Sequence, residues 1–311
     1  MVEMTIEELN EAVETGEIDE LIRVCEARQV KALSALADRI CAQEGVRLIL
    51  LCGGSSAGKT TTAKRLCTQL RVNGATALHM STDDYFVGDA KNPRHPDGTF
   101  DYETIEAVDS ARLAADVNAL LAGEEVHLRR FDFINHEGFD SEGTTSIPEK
   151  GYIVLEGIHA LNPILTEAVP ESAKFRIFIE PKTQLTIFAL TKLPPQDGRL
   201  LRRLVRDNQF RKMSPLETFN LWPQVLDGEE KWINPYRPLA DAEFDSGLEY
   251  ELAVLKPYVG GLVELVRRRR PEEKKAYIFT ELFEVVHPAH PTAVPGDSIL
   301  RETIGGSQLE Y

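Results

Sequence analysis

Residues 53–60 read Gly-Gly-Ser-Ser-Ala-Gly-Lys-Thr, which fits G-x-x-x-x-G-K-[ST], and the apolar run Val46-Arg47-Leu48-Ile49-Leu50-Leu51-Cys52 leads directly into them. This pattern demands a buried strand, a glycine-rich turn and a helix in immediate succession. The glycines let consecutive backbone N–H groups curl inward onto phosphate oxygens, and the helix N-terminus adds the positive end of its dipole. On this reading Gly53, Gly54, Ser55, Ser56, Ala57, Gly58, Lys59, Thr60 and Thr61 form a nucleotide site. Lys59 reaches the β- and γ-phosphates and Thr60 holds Mg²⁺. The helix-compatible run Thr61-Thr62-Ala63-Lys64-Arg65-Leu66 follows at once, which makes a chance glycine-rich turn the poorer account.

Beyond the loop, apolar segments at 46–52, 75–80, 126–130, 152–155 and 175–179 alternate with helix-patterned stretches at 59–71, 102–122, 199–212 and 248–268. Such alternation predicts an α/β fold, a parallel sheet with helices on both faces and ligands gathered at the carboxyl ends of its strands. Residues 1–45 read as a helical extension: Thr5-x-x-Glu8 fits a capping box, and Leu33, Leu36, Ala37 and Ile40 recur at i, i+3, i+4, i+7. That stripe either packs on the core or forms an arm that joins copies of the chain into a homo-oligomer. Residues 46–270 then make up the nucleotide-binding domain and 271–311 a C-terminal helix and tail.

A formal charge of −15 argues against nucleic acid as a partner, because phosphate backbones require clustered Lys and Arg. The four cysteines, Cys25, Cys41, Cys52 and Cys67, show no zinc spacing and read as small apolar residues of a reduced protein. No secretory signal and no membrane-length apolar run is visible, so a cytoplasmic protein without a membrane partner is expected.

Three further stretches carry chemistry. In Ser81-Thr82-Asp83-Asp84-Tyr85-Phe86 a carboxylate at a strand end near a γ-phosphate, Asp83 by preference, takes the proton of an attacking hydroxyl and also approaches Mg²⁺. The alternative is that both aspartates merely cap a turn. The strand 152–155 ends in Glu156-Gly157, a Walker-B-like place for a metal-binding carboxylate. Arg199, Arg202, Arg203 and Arg206 fall at i, i+3, i+4, i+7 and share a helical face, with Arg211 just beyond; Pro194-Pro195-Gln196-Asp197-Gly198 precedes them like a hinge. Such a face closes over phosphates as a lid, unless it is a solvated surface paired with acids. His95–Asp101 and Arg130–His136 supply a polar loop and two aromatics, suited to an acceptor pocket in which rings hold a planar base, unless Phe131 and Phe133 are core residues.

Together these residues resemble the uridine kinase and phosphoribulokinase family of P-loop kinases. The matching motifs are GGSSAGKTTTAKRL (53–66), STDDYF (81–86), HPDGTFDYETIEAVD (95–109), RFDFINH (130–136), IVLEGIHALNP (153–163) and RLLRRLVRDNQFR (199–211). The likeness spans roughly residues 20–270 and is greatest to bacterial-type uridine kinase-like proteins. It implies a P-loop kinase domain with a helical lid, ATP and Mg²⁺ as cofactors, and a small-molecule acceptor. Lys59, Thr60 and Glu156 would serve ATP and its metal, Asp83 would be the general base and a further metal contact, and Arg206 and Arg211 would act in catalysis. Arg203, Tyr85, Arg94, Asp97, Phe131, Phe133 and His136 would line the acceptor.

Two departures touch the acceptor side. The family places an acid immediately before His-Pro-Asp where this chain has Arg94, and a further lid arginine where it has Met213. The expected activity is therefore ATP-dependent phosphorylation of a primary hydroxyl, with the 5′-OH of uridine or cytidine as the leading acceptor. A sugar, sugar-phosphate or polyol acceptor is the alternative, and an acceptor bearing its own phosphate would suit Arg94. A regulatory nucleotide switch is the third reading, but it needs neither Asp83 nor an arginine lid.

Overall fold

The computed structural model describes residues 4–96, 98–132, 135–182, 185–187 and 191–310. In chain order the strands and α-helices are β1 (Met4–Thr5), α1 (Ile6–Thr15), α2 (Ile18–Cys41), β2 (Leu48–Cys52), α3 (Lys59–Val72), β3 (Ala77–Ser81), α4 (Ser110–Leu121), β4 (Arg129–Asp132), β5 (Glu137–Asp140), β6 (Tyr152–Glu156), β7 (Lys174–Glu180), β8 (Leu185–Ile187), β9 (Thr191–Lys192), α5 (Pro195–Phe210), α6 (Pro215–Trp232), β10 (Ala242–Asp245), α7 (Glu251–Arg269), α8 (Lys274–Val285) and α9 (Arg301–Ile304).

The main sheet is parallel throughout, in the order β10-β7-β2-β6-β3. β2 lies at its centre, and all five of its residues are buried because both of its faces are covered. Leu48, Leu50 and Cys52 face a cluster with Leu113, Val117 and Leu120 of α4, while Ile49 and Leu51 face α2 and α3. The sheet is therefore the α/β arrangement expected, with four of the five predicted strands in it and β10 as the fifth, pairing with β7 from Ala242↔Ile177 to Asp245↔Glu180. Ala-Glu-Phe-Asp carries little strand signal because an edge strand needs only one buried side chain, here Phe244.

Two expectations are corrected. The segment predicted as a strand at 126–130 does not join the sheet; β4 pairs antiparallel with β5 in a separate hairpin, and Val126 only bridges to Thr145. The long helix predicted at 102–122 is shortened to α4, because Asp109 caps its start by accepting from the Arg112 N–H. Helix α6 was not foreseen, since its sequence holds Pro215 and Pro223. Pro215 is tolerated at N1, and a capping box between Ser214 and Glu217 begins the helix.

The stripe on α2 is used within the chain. Leu33, Ala37 and Ile40 are fully buried against β2, β7 and α3. Burial of two such large side chains contributes about 3–6 kcal/mol, comparable to the whole stability of many domains. A second cluster joins Ile6, Leu9 and Ile22 to Leu200, Leu204, Val254, Phe279 and Leu300, so both ends of the described chain pack on α5 and α7. Among the described residues no helix is long and apolar enough to cross a membrane.

Candidate active site

Parallel register brings the ends of β2, β3 and β6 side by side: Glu156 lies opposite both Leu51 and Ser81. From these ends rise the 53–60 loop, Asp83 and Glu156. Gly58 has φ +86°, a left-handed conformation that a side chain would strain, and a Cβ there would also overlap Ile299. A Cβ at Gly54 would overlap Arg199 and Glu229. No side chain caps the N-terminus of α3, so its first-turn N–H groups face the loop's concavity, as an anion site requires. Lys59 Nζ donates to the Gly54 carbonyl at 3.2 Å. Thr60 Oγ1 donates to Glu156 Oε1 at 2.9 Å. Thr61 is turned away: its fully buried hydroxyl donates to Glu302 Oε2 at 3.3 Å, so only its backbone is left for phosphate.

Burial opposes ionisation of Glu156, but His79, Lys59 and Ser81 close by outweigh it and hold the carboxyl below its usual range. His79 Nε2 stands 3.9 Å from Glu156 Oε1. Asp83 is shifted the other way. Burial and the nearby charge of Glu156 push it up to about 6, against the pull of Lys59 and Arg211. Asp84 accepts from Arg130 Nη1 at 3.0 Å and is thereby tied to β4. The two adjacent aspartates are thus separated in role by a residue 46 positions downstream.

Helix α5 presents its arginines in two directions. Arg199 forms a buried, two-pronged pair with Glu229 of α6 and donates to the Ser55 carbonyl at 3.1 Å. Arg203 Nη1 donates to Ser55 Oγ at 2.9 Å, and its Nε donates to Asp207 Oδ2 at 3.1 Å. Arg206 donates to Asp207 Oδ1 from Nε and Nη2, and Arg211 Nε lies 3.8 Å from the same oxygen. Asp207, fully buried, therefore gathers three guanidinium groups beside the phosphate loop. Arg202 does not share that face: it is 1% exposed and holds Glu251 at 2.5 and 2.6 Å. Sequence reasoning missed Asp207 and Glu229. The i, i+4 spacing of Arg203 and Asp207 carried a signal, whereas Glu229 lies 30 residues from Arg199 with none.

On the acceptor side several expected residues are placed elsewhere. Tyr85 is 1% exposed and donates its hydroxyl to Asp116 Oδ2 at 2.9 Å, so it belongs to the core rather than the cleft. Phe131 is buried edge-on against Phe86, at a centroid distance of 5.6 Å. Arg94 is exposed, its guanidinium 3.8 Å above the Phe100 ring and donating to the Gly98 carbonyl at 2.7 Å. Its short polar loop folds back on itself, and the cation stacks there instead of facing an acceptor. His136 has Nδ1 3.3 Å from both Tyr102 Oη and Asp89 Oδ1. Asp97 and Phe133 lie outside the described residues. A surface groove of about 430 Å³ between α2 and β10 shares no lining residue with this cleft.

The family profile of the phosphoribulokinase / uridine kinase family matches residues 48–252, which include the phosphate loop, Asp83, Glu156 and the arginines of α5 but not Ile299 or Glu302. The chain belongs to that family. It is a kinase, and the parallel sheet with its phosphate loop is the fold expected of one. A uridine kinase of Deinococcus deserti is 28% identical over 201 residues, covering 64% of this chain and 87% of that protein. A uridine kinase of Lactobacillus helveticus is 26% identical over 208 residues, covering 67% and 90%. Among solved structures, a provisionally identified fructose transport system kinase from Silicibacter sp. TM1040 aligns at 18% identity and a TM-score of 0.47, covering 68% of this chain and 98% of that one. That likeness is too slight to bear on substrate.

Among the described residues no group of three or more His, Cys, Asp or Glu side chains is arranged to hold a metal by itself. The oxygen pair of Thr60 and Glu156, with Asp83 beside it, suits an ion that keeps most of its water and phosphate ligands, as Mg²⁺ does.

Proposed function

We propose that the chain is an ATP-dependent kinase that transfers the γ-phosphoryl group to a primary hydroxyl of a small, uncharged acceptor, with the 5′-OH of uridine or cytidine first among candidates. The observation that carries this is Asp83: a carboxylate at the β3 end, in the fields of Lys59, Arg211 and Glu156, with a pKa pushed up to about 6 by burial and Glu156. A group so tuned is ionised at neutral pH yet basic enough to take a hydroxyl proton. The loop N–H groups and Lys59 bind the phosphates, and the arginines gathered by Asp207 offset charge on the transferring group. Thr60 and Glu156, joined by a hydrogen bond, would hold Mg²⁺, and the ion would supply positive charge against the phosphates.

The stacking of Arg94 on Phe100 favours an uncharged acceptor, because it removes the cation that would have welcomed a phosphate. The uridine kinase relatives favour a nucleoside. A sugar or polyol acceptor is the second reading, supported by the burial of Phe131, which leaves a base sandwich without one of its expected walls. ADP release from Mg·ATP, measured with uridine, cytidine, ribose, fructose, glycerate and phosphorylated sugars, tests both. Turnover confined to uridine and cytidine is expected. Turnover only with a phosphorylated sugar would overturn the uncharged-acceptor reading, and no acceptor-dependent turnover at all would overturn the kinase.

A further inference from the structure

Glu103 stands beside the cleft with nothing in the chain to account for it. Its N–H donates to Asp101 Oδ1 at 3.0 Å, as that of Thr104 does at 3.2 Å, so the turn that carries it is fixed. Its Cβ packs on Gly228 of α6, where any side chain would collide with it. The carboxylate lies in the fields of Arg203, Glu229, Lys59 and Asp83, which places it between the arginine helix, the phosphate-loop lysine and the proposed base. Its Oε2 is nonetheless buried with no hydrogen-bond partner among the described residues. Arg203, one of the two cations whose charge reaches it, is already held by Asp207 and Ser55.

The floor beneath the same turn is polar too. His159 is 1% exposed and lies against the backbone of Glu103 and Thr104, so it belongs to the packing beneath this turn. Burial holds its imidazole down to about 4, so the ring is neutral, with one donor and one acceptor to offer. A buried carboxylate oxygen left without a partner beside the phosphate-loop lysine and the proposed base is a place where a ligand's hydrogen bond fits. Burial pushes the Glu103 carboxyl up to about 7, so near neutral pH it accepts when ionised and donates when protonated. A hydroxyl, which can do either, suits it as partner.

We propose that Glu103 is a specificity-determining residue that accepts a hydrogen bond from a second hydroxyl of the acceptor, a hydroxyl other than the one phosphorylated. The acceptor is thus a polyhydroxylated neutral molecule, a ribose-bearing nucleoside or a sugar. This rests on the kinase reading above, but not on the choice of uridine.

The test compares wild type, Glu103→Gln and Glu103→Ala in steady-state kinetics at saturating Mg·ATP, using uridine, 2′-deoxyuridine and 3′-deoxyuridine, after thermal melts have shown that the proteins are folded. Should Glu103→Ala not fold, the isosteric Glu103→Gln carries the test. The KM for uridine should rise about ten- to hundredfold in Glu103→Ala, the scale of one hydrogen bond to a charged group, with a smaller rise in Glu103→Gln and the KM for ATP within about twofold. Wild type should discriminate by the same factor against one deoxy analogue, and Glu103→Ala should not. An equal loss on all three acceptors, or an equal rise in the KM for ATP, would mean that Glu103 steadies the arginine helix, and the proposal would fall. If uridine is not phosphorylated the nucleoside reading fails, and ribose against 2-deoxyribose then decides the role of Glu103. If no acceptor turns over, both readings fall.

Discussion

Lys59 and Asp83 make different demands on the same few ångströms. Lys59 is partly exposed and its Nζ donates to one backbone carbonyl, so Lys59→Ala should abolish phosphoryl transfer while leaving the melt unchanged; more than a few per cent of residual turnover would remove the lysine from its role. Asp83→Asn should lower kcat by roughly 10²-fold or more, with little change in the KM for ATP. Because Asp83 is raised to about 6, it is protonated and idle below that pH and ionised above it. The kcat/KM of wild type should therefore fall as pH drops through about 6, and Asp83→Asn should lose that limb; a profile flat from pH 5 to 8 would exclude Asp83 as the base. Asp84→Asn should be the milder change, freeing Arg130. Sequence alone placed a carboxylate at this strand end and preferred Asp83, but could not show that Asp84 is tied to Arg130 of a distant hairpin. Tyr85 and Arg94 were misread for the same reason: their partners, Asp116 and Phe100, are set by how loops fold back and not by any local pattern.

Helix α5 shows how far periodicity carries. Its i, i+3, i+4, i+7 arginines were legible as a stripe, yet Arg202 turns to Glu251 while Arg203 meets the phosphate loop. Which side of the stripe each joins depends on α6 and α7, and α6 was hidden by its prolines. Arg202→Met strands a buried Glu251, which should cost about 3–5 kcal/mol and lower Tm on the order of 10 °C. Both Michaelis constants should stay near wild type. Arg203→Met should do the reverse, losing kcat/KM with a small change in Tm. If the two variants exchanged these phenotypes in melts and kinetics, the faces of α5 would have been assigned backwards. The β2 strand and the turn into α3 were legible because both needs, burial on two faces and glycine at the loop, are written locally. β10 was not, because at the sheet's edge it buries little.

Across the whole molecule, the C-terminal tail closes on the phosphate loop from behind. Ile299 packs on Gly58 and joins the cluster of Ile49, Leu51 and Ala57, and Glu302 accepts from Thr61. Tyr250 donates to Glu26 of α2 at 2.6 Å and lies 3.3 Å from Ser298 Oγ, so α2, α7 and the tail are bound together behind α3. Ile299→Ala should destabilise by about 2–5 kcal/mol, as large-to-small changes in a core do, and should also weaken ATP binding because the wall behind Gly58 is lost. Calorimetric titration with a non-hydrolysable ATP analogue, beside a thermal melt, checks both. Loss of stability with unchanged affinity would confine Ile299 to packing.

The placement of this tail sets an order in time. Ile299 and Glu302 leave the ribosome after every strand and helix they touch, so a growing chain can form its sheet early while the phosphate loop still lacks its back wall. On the proposed function, nucleotide binding then waits for residues 299–302, and a chain halted before them should retain a non-hydrolysable ATP analogue less well than the full one.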